Sequence, residues 1–226
     1  MRSHAALLLP LAALTLALTA CGGGIPVPAA DEPTPATATP HPTPTEAADS
    51  DFPVALQVSS SGVEIIRASG TSEWVFFNNP AADAVATFTD AFAAPPVVTD
   101  RPGGLEAAPA RVYDWSGFSI IDVEGLTINL TDYVIDVSVA SVGGIDILTV
   151  PGLQVGDPFA SAVSVEDSDG GFPGIGLAAV DTQPVDPALV GEPAGSPLAV
   201  FVAVYGPASG SGAITHFTAP TPNWGV

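Results

Sequence analysis

The chain has no lysine, a single cysteine (Cys21) and four arginines among 226 residues, against 24 carboxylates. One cysteine excludes an intramolecular disulfide and any metal site built from several cysteines. A formal net charge of −20 disfavours binding to the phosphates of nucleic acids and electrostatic docking on anionic lipid headgroups. The composition therefore predicts no nucleic-acid partner, and attachment to a membrane would have to come from a lipid chain.

The first 21 residues carry a positive charge at Arg2 and then an apolar run over residues 5–20. That run is shorter than the roughly 20 residues that a membrane-spanning helix needs. It ends in Leu18-Thr19-Ala20-Cys21, and three glycines follow. This arrangement resembles the signal of bacterial lipoproteins, which implies a signal peptide over residues 1–20 and a lipidated Cys21. Acyl chains such as palmitate would then hold the protein on the extracytoplasmic face of the cell membrane.

Residues 22–50 contain seven prolines and almost no large aliphatic side chains. Proline removes backbone donors and favours extended conformations, so residues 21–50 are expected to form a lipidated cysteine followed by a semi-rigid Pro/Thr-rich tether. Its reach would be about 90 Å if fully extended and about 30 Å as a coil. The remaining residues, 51–226, have the length of a single globular domain.

Short β-branched and aromatic segments predict that this domain is rich in strands. Along residues 133–141, Ile135, Val137 and Val139 fall on one face, the alternation typical of a half-buried strand. The other predicted strands are 63–67, 73–77, 111–121, 145–149, 198–205 and 213–218. The last two flank a glycine-rich stretch, residues 206–212, which favours a hairpin.

Two sites predict helices, because each has a capping residue followed by proline. At Asn79-Pro80 a helix should follow with Phe88 and Phe92 on its apolar face, and it should end before Pro95-Pro96. At Asp157-Pro158 a shorter helix is expected.

A shift of 78 residues aligns these two helix starts, and it also places Val85 on Val163. The alignment predicts two half-repeats, residues 63–141 and 142–220, each a short helix packed on an antiparallel sheet. The expected fold class is therefore α+β and β-rich. The alternative is a chance match within an alanine-rich chain.

The lipidation signal, the tether and the sequence Val155-Gly156-Asp157-Pro158 ahead of a short helix resemble uncharacterised lipoproteins of high-GC Gram-positive bacteria. The doubled helix-and-sheet pattern is similar in architecture to tandem-repeat domains like the β-lactamase-inhibitor proteins and to outer-membrane assembly lipoproteins. Members of those groups act mainly by binding other proteins. The resemblance implies an envelope lipoprotein whose partner is another protein or a wall component.

Few residues offer reactive chemistry. The acidic loop with Asp167 and Asp169 ends in glycines and could supply oxygen ligands to calcium, although solvated acidic loops are common. The only histidine of the domain, His216, lies on a predicted strand near Ser209 and Ser211, without the strand-to-helix turn of a hydrolase nucleophile. A pair of carboxylates that cleaves glycans is a further alternative, because 24 acidic residues offer many pairs and the sequence singles out none of them.

Aromatic residues are the remaining candidates for recognition. Trp74, Trp115 and Trp224 could line a sugar or peptide surface. Tyr113 and Trp115 share one face of a predicted strand and form the candidate binding surface, with packing in the core as the alternative. The sequence therefore predicts a noncatalytic binding module in the envelope. The alternatives are a wall-directed hydrolase that uses paired carboxylates and a calcium-responsive structural protein.

Overall fold

The computed structural model describes residues 51–104, 108–125, 131–163, 175–190, 193–194 and 198–223, all within a compact unit, Ala47–Val226. These residues form two β-sheets with two helices and one 3-10 turn. In chain order the elements are β1 (Pro53–Val58), β2 (Gly62–Arg67), β3 (Ser72–Phe76), α1 (Ala81–Phe92), β4 (Val97–Arg101), β5 (Ala110–Trp115), β6 (Phe118–Val123), β7 (Val134–Val137), β8 (Ser141–Val142), β9 (Ile145–Thr149), α2 (Phe159–Val163), β10 (Ile175–Pro184), the 3-10 turn (Pro187–Val190), β11 (Ala199–Pro207) and β12 (His216–Asn223).

The five-stranded sheet has the order β3-β2-β1-β9-β8. Strands β1 to β3 form an antiparallel meander, whereas β1 and β9 run parallel, with Leu56 opposite Ile147. Leu56 and Ile65 are fully buried, and their chain neighbours are half-buried. One face of this sheet therefore covers the core and the other faces outward.

The seven-stranded sheet has the order β10-β11-β12-β7-β6-β5-β4, and every pair in it is antiparallel. Its centre is the pairing of β12 with β7, where Phe217 lies opposite Val137 and both side chains are fully buried. Buried residues of both sheets belong to one hydrophobic cluster, so the two sheets share a core.

Helix α1 packs its aromatic face on the seven-stranded sheet. Its Phe88 ring lies 4.9 Å from that of Phe118, and its Phe92 ring lies 5.7 Å from that of Trp115. The helix ends at Phe92, and its C-cap, Ala93, has a left-handed backbone (φ 51°) two residues before Pro95-Pro96. The expected capping by Asn79 is wrong, because Pro80 itself is the N-cap and no side chain bonds the first amides.

Helix α2 places one large side chain, Phe159, against two strands of the seven-stranded sheet. The ring lies over Gly176 of β10 and Gly206 of β11, and a Cβ built on Gly176 would lie 2.7 Å from the ring. The ring fits because neither position carries a side chain. No helix in the described ranges has the length and apolar character needed to cross a bilayer.

The β-rich α+β class is confirmed, with three corrections of detail. The segment 111–121 is not one strand but the hairpin β5–β6, which turns at Ser116 and Gly117 with φ of 56° and 109°. The five-stranded sheet is mixed rather than antiparallel, because β1 and β9 are parallel. Strands β1, β4 and β10 were not predicted, and the single strand predicted over 133–141 is instead β7, which ends at Val137, and the short strand β8. Each half supplies strands to both sheets and one helix, but duplication itself stays a prediction.

Candidate functional site

Two aromatic side chains, Trp74 and Phe76, stand on the outward face of β3. The pairing of β3 with β2 places Val75 opposite Val63 on the core face, so the residues on either side of Val75 point away from the core. Trp74 is 40% exposed and Phe76 is 44% exposed. Their ring centroids are 5.7 Å apart and the ring planes differ by 13°. We call Trp74, Phe76 and the strand that carries them the aromatic edge.

Residues of the neighbouring strand β2 lie beside the two rings of the aromatic edge. Gly62 lies opposite Phe76 and Glu64 lies opposite Trp74. A Cβ on Gly62 would lie 2.5 Å from the Val75 carbonyl oxygen, so this position requires glycine. The half-buried Glu64 places a carboxylate beside the indole ring, which makes the surface both aromatic and acidic.

Strand β3 is the outermost strand of its sheet in the described part of the chain. Beyond its end, the Asp132 amide donates to the Phe77 carbonyl at 2.8 Å, and the Tyr133 hydroxyl donates to the Phe76 carbonyl at 3.2 Å. Burial raises the pKa of Tyr133, with a smaller contribution from the Asp132 charge, so the hydroxyl stays protonated as a donor. The open part of the edge is therefore the stretch before Phe76.

The first described residue, Asp51, is fixed at the turn from which β3 starts. Its carboxylate accepts hydrogen bonds from the Ser69 amide at 3.1 Å and the Thr71 hydroxyl at 3.2 Å. The backbone hydrogen bond from Ser69 is the main reason that the pKa of Asp51 is lowered. Arg67 donates to the Asp51 carbonyl at 3.1 Å and pairs with Glu73 at 3.2 Å. Residue 51 therefore enters the domain next to the aromatic edge.

The structure does not place the predicted pair Tyr113 and Trp115 on a surface. Trp115 is only 3% exposed, and its indole N–H donates to the Ala94 carbonyl at 2.9 Å. Tyr113 is half-buried and packs against the core. The prediction is wrong for Trp115, because the hairpin turn directs this residue toward α1, where Phe88 and Phe92 surround it.

The histidine and the serines near it do not form a nucleophile–base pair. The His216 ring stacks on Tyr205 with centroids 4.2 Å apart, and its Nδ1 lies 3.0 Å from the Thr215 hydroxyl. Ser209 and Ser211 lie in the β11–β12 turn, where their hydroxyls are 2.9 Å from each other. Neither serine is hydrogen-bonded to His216 in this arrangement.

The remaining candidate residues, Cys21, Asp167, Asp169 and Trp224, lie outside the described residues. Among those that the structure does describe, no group of three or more His, Cys, Asp or Glu side chains could hold a metal ion.

The aromatic edge was only partly predictable from sequence. The sequence predicts a strand over 73–77 and names Trp74 as a residue that could line a sugar or peptide surface, but it does not single out Phe76. The available signal was the alternation of Trp74 and Phe76 around Val75, which marks the two rings as sharing one face. Comparison of the chain with protein-family models, with curated proteins and with solved structures finds no match.

Proposed function

We propose that the protein is a lipid-anchored binding module of the cell envelope, which holds an extended segment of a partner protein along the aromatic edge. The observation that carries this proposal is the stacked, exposed pair Trp74 and Phe76 on an open edge strand. Open edges are usually blunted by lysine, proline or a bulge, because they invite pairing with another chain. Here the edge carries two aromatic rings instead.

The mode of binding would be addition of a strand. Unpaired backbone groups of β3 would bond the main chain of the partner, with a net gain of about 0.5–1.5 kcal/mol for each hydrogen bond. The rings of Trp74 and Phe76 would bury apolar side chains of the added strand. Aromatic residues of this kind supply a large share of the binding energy at protein interfaces.

The chemistry of the partner follows from charge. Glu64 lies opposite Trp74 on the neighbouring strand, and the whole chain carries a net charge of −20. A segment with lysine or arginine would complement the Glu64 carboxylate, and its cations would be attracted to the face of the indole ring. The proposed partner segment is therefore extended, apolar on one face and basic.

Acylation of Cys21 would keep this surface in the envelope, because each buried methylene of an acyl chain contributes about 0.8 kcal/mol. In Cys21→Ser the mature protein should leave the membrane fraction and appear in the medium, while its folded domain is unchanged. Recovery of wild-type protein from the medium with an unmodified thiol would contradict the anchoring part of the proposal.

The binding part is tested by crosslinked co-purification from intact envelopes. A double variant, Trp74→Ser with Phe76→Ser, should lose a crosslinked partner that the wild type retains. The matched control is Val97→Ser with Val98→Ser, two exposed apolar residues on β4, the outermost described strand of the other sheet. Equal loss in both double variants, or loss in neither, would contradict binding at the aromatic edge.

The two alternatives predict other results. A wall-directed hydrolase would turn over wall fragments, at a rate lost on replacing a pair of carboxylates. A calcium-responsive structural protein would melt at a higher temperature with calcium, and Asp167→Asn with Asp169→Asn would remove that response.

A further inference from the structure

The outward face of the seven-stranded sheet carries a row of polar side chains that the aromatic edge does not involve. The strand register places Asp114 opposite Ser119, Ser119 opposite Asp136, and Asp136 opposite Thr218. The adjacent row, with Phe118 and Phe217, is fully buried, so the polar row points away from the core. It crosses four strands, which is about 14 Å at the usual strand spacing. We call these four residues the polar row.

A stacked pair of rings adjoins one end of the polar row. Tyr205 and His216 are opposite each other on β11 and β12, and their rings stack 4.2 Å apart with planes within 6°. His216 lies two residues from Thr218, so both side chains are on the same face of the sheet. Both rings are half-buried and offer part of their surface to a ligand.

The two carboxylates of the polar row differ in how they are bonded. Asp114 accepts hydrogen bonds from the Ser119 hydroxyl at 2.8 Å and from the Gly117 amide at 2.9 Å. Asp136 is half-buried and has no hydrogen bond to any described residue. Burial is the main reason that the pKa of Asp136 is raised, while His216 and Arg101 act in the opposite direction. A half-buried carboxyl of this kind gains free energy when a ligand supplies a hydrogen bond.

The second group without a described hydrogen bond is one nitrogen of the His216 ring, Nε2. Its Nδ1 is engaged by the Thr215 hydroxyl, whereas Nε2 has no hydrogen bond within the ranges that the structure describes. Together with the Asp136 carboxyl it presents both a donor and an acceptor next to the stacked rings, and the Thr218 hydroxyl beside them lies 3.0 Å from that of Thr221. A phosphate ligand is disfavoured because two carboxylates border the row. A purely apolar ligand would leave the carboxyl and imidazole unbonded.

We infer that the polar row, with the Tyr205–His216 ring pair, is a binding site for a hydroxyl-rich glycan. Sugar hydroxyls both donate and accept hydrogen bonds, so one ligand can bond both the Asp136 carboxyl and the Nε2 of His216. The apolar C–H face of a sugar ring can pack on the stacked aromatic surface. The site shares no residue with the aromatic edge, so its success or failure is independent of the proposed protein-binding function.

The test is an amide NMR titration of residues 21–226 with two soluble probes, the tetramers of β-1,4-linked N-acetylglucosamine and of β-1,4-linked glucose. At least one should shift the amides of Ser119, Asp136 and Thr218 while leaving those of Trp74 and Phe76 unchanged. Asp136→Ala should weaken that binding by at least about tenfold, as expected for loss of a hydrogen bond to a carboxylate. Thr218→Ala should weaken it less.

The matched control is Asp146→Ala, which removes an exposed carboxylate from the outward face of the five-stranded sheet. It should leave the affinity unchanged. A parallel sedimentation assay with insoluble wall glycan distinguishes a polymer in the wall from a free oligosaccharide as the source of the sugar. Absence of shifts with both tetramers, or shifts that persist in Asp136→Ala, would overturn the inference. Shifts confined to the aromatic edge would overturn it as well.

Discussion

One carboxylate oxygen of Asp181 accepts two hydrogen bonds from Ser60, from the backbone amide at 2.7 Å and from the hydroxyl at 3.0 Å. Ser60 is 3% exposed and lies in the turn between β1 and β2 of the five-stranded sheet. Asp181 lies in β10 at an irregularity between Val180 and Gln183, with a left-handed backbone (φ 51°). The contact therefore ties the hairpin of one sheet to the outermost described strand of the other.

Removing this contact should destabilise the domain as a whole. In Asp181→Ala the buried amide and hydroxyl of Ser60 lose their acceptor, which should lower the free energy of unfolding by about 1–3 kcal/mol. Asp181→Asn should cost less, because asparagine tolerates the left-handed backbone and keeps an acceptor oxygen. Urea unfolding checks both. A loss in Asp181→Ala no larger than in Asp146→Ala, a carboxylate exposed on its sheet, would contradict this assignment.

Gly206, one of the two glycines under the Phe159 ring, should not tolerate even one added methyl group. Gly206→Ala would drive a Cβ into the ring, and overpacking of this kind costs about 1–3 kcal/mol. Gly104→Ala is the control, because nothing lies within 4 Å of the added Cβ and the backbone there is not left-handed. Thermal melts should separate the two variants. In a Phe159→Ala background, which removes the ring but keeps the Cβ that lies 2.9 Å from the added methyl, Gly206→Ala should lose part of its cost. Equal costs in both backgrounds would refute the packing argument.

The loss of stability on removing an aromatic side chain should depend on whether that side chain lies in the core or on the surface. Phe88 is fully buried among Trp115, Phe92 and Phe118, so Phe88→Ala should cost about 3–5 kcal/mol. Phe76→Ala should cost less than about 1.5 kcal/mol, because it mainly removes a stacking contact at the surface. Chemical denaturation measures both values. A large loss in Phe76→Ala would mean that this ring serves stability rather than recognition.

Stability should also depend on pH through Asp136. Burial raises the pKa of Asp136 in the folded protein above its ordinary value of 3.8, against the attraction of His216 and Arg101 and with the repulsion of Asp114. The folded state therefore holds the proton more tightly, and this residue lowers stability as pH rises from the ordinary value through the raised one. Asp136→Asn should be more stable than the wild type at neutral pH. The difference in unfolding free energy between the two proteins should vanish when the pH falls below the ordinary pKa. A difference that grows on acidification would contradict a raised pKa for Asp136.

Local sequence patterns were enough to predict many of the strands and helices. The pairing of strands that are far apart in the chain could not be predicted from them. The period-two alternation around Ile135 and the proline at the start of α1 are local signals, and both elements are present. Their exact ends were not predicted, since β7 ends at Val137 and Pro80 rather than Asn79 is the N-cap of α1. The turn at Ser116-Gly117 was missed because the apolar residues on both sides of it read as one run. Strand β4 has five exposed residues, so no hydrophobic alternation marked it.

The candidate surfaces depend on the long-range contacts that sequence could not provide. Trp74 and Trp115 look alike in sequence, yet one is 40% exposed on an outer strand and the other is 3% exposed against α1. The polar row exists only because β7 pairs with both β6 and β12, which brings Ser119, Asp136 and Thr218 side by side. Neither the exposure of Trp74 nor the polar row can be predicted from the spacing of residues along the chain.

Photocrosslinking in intact cells tests the central claim most directly. A photoreactive phenylalanine analogue at position 76 should form a covalent adduct with one envelope protein, whereas the same analogue at position 98, which is more exposed on β4, should not. The adduct at position 76 should disappear when Trp74 is also replaced by serine. Identical adducts from both positions, or none from position 76, would contradict a binding module that works through the aromatic edge.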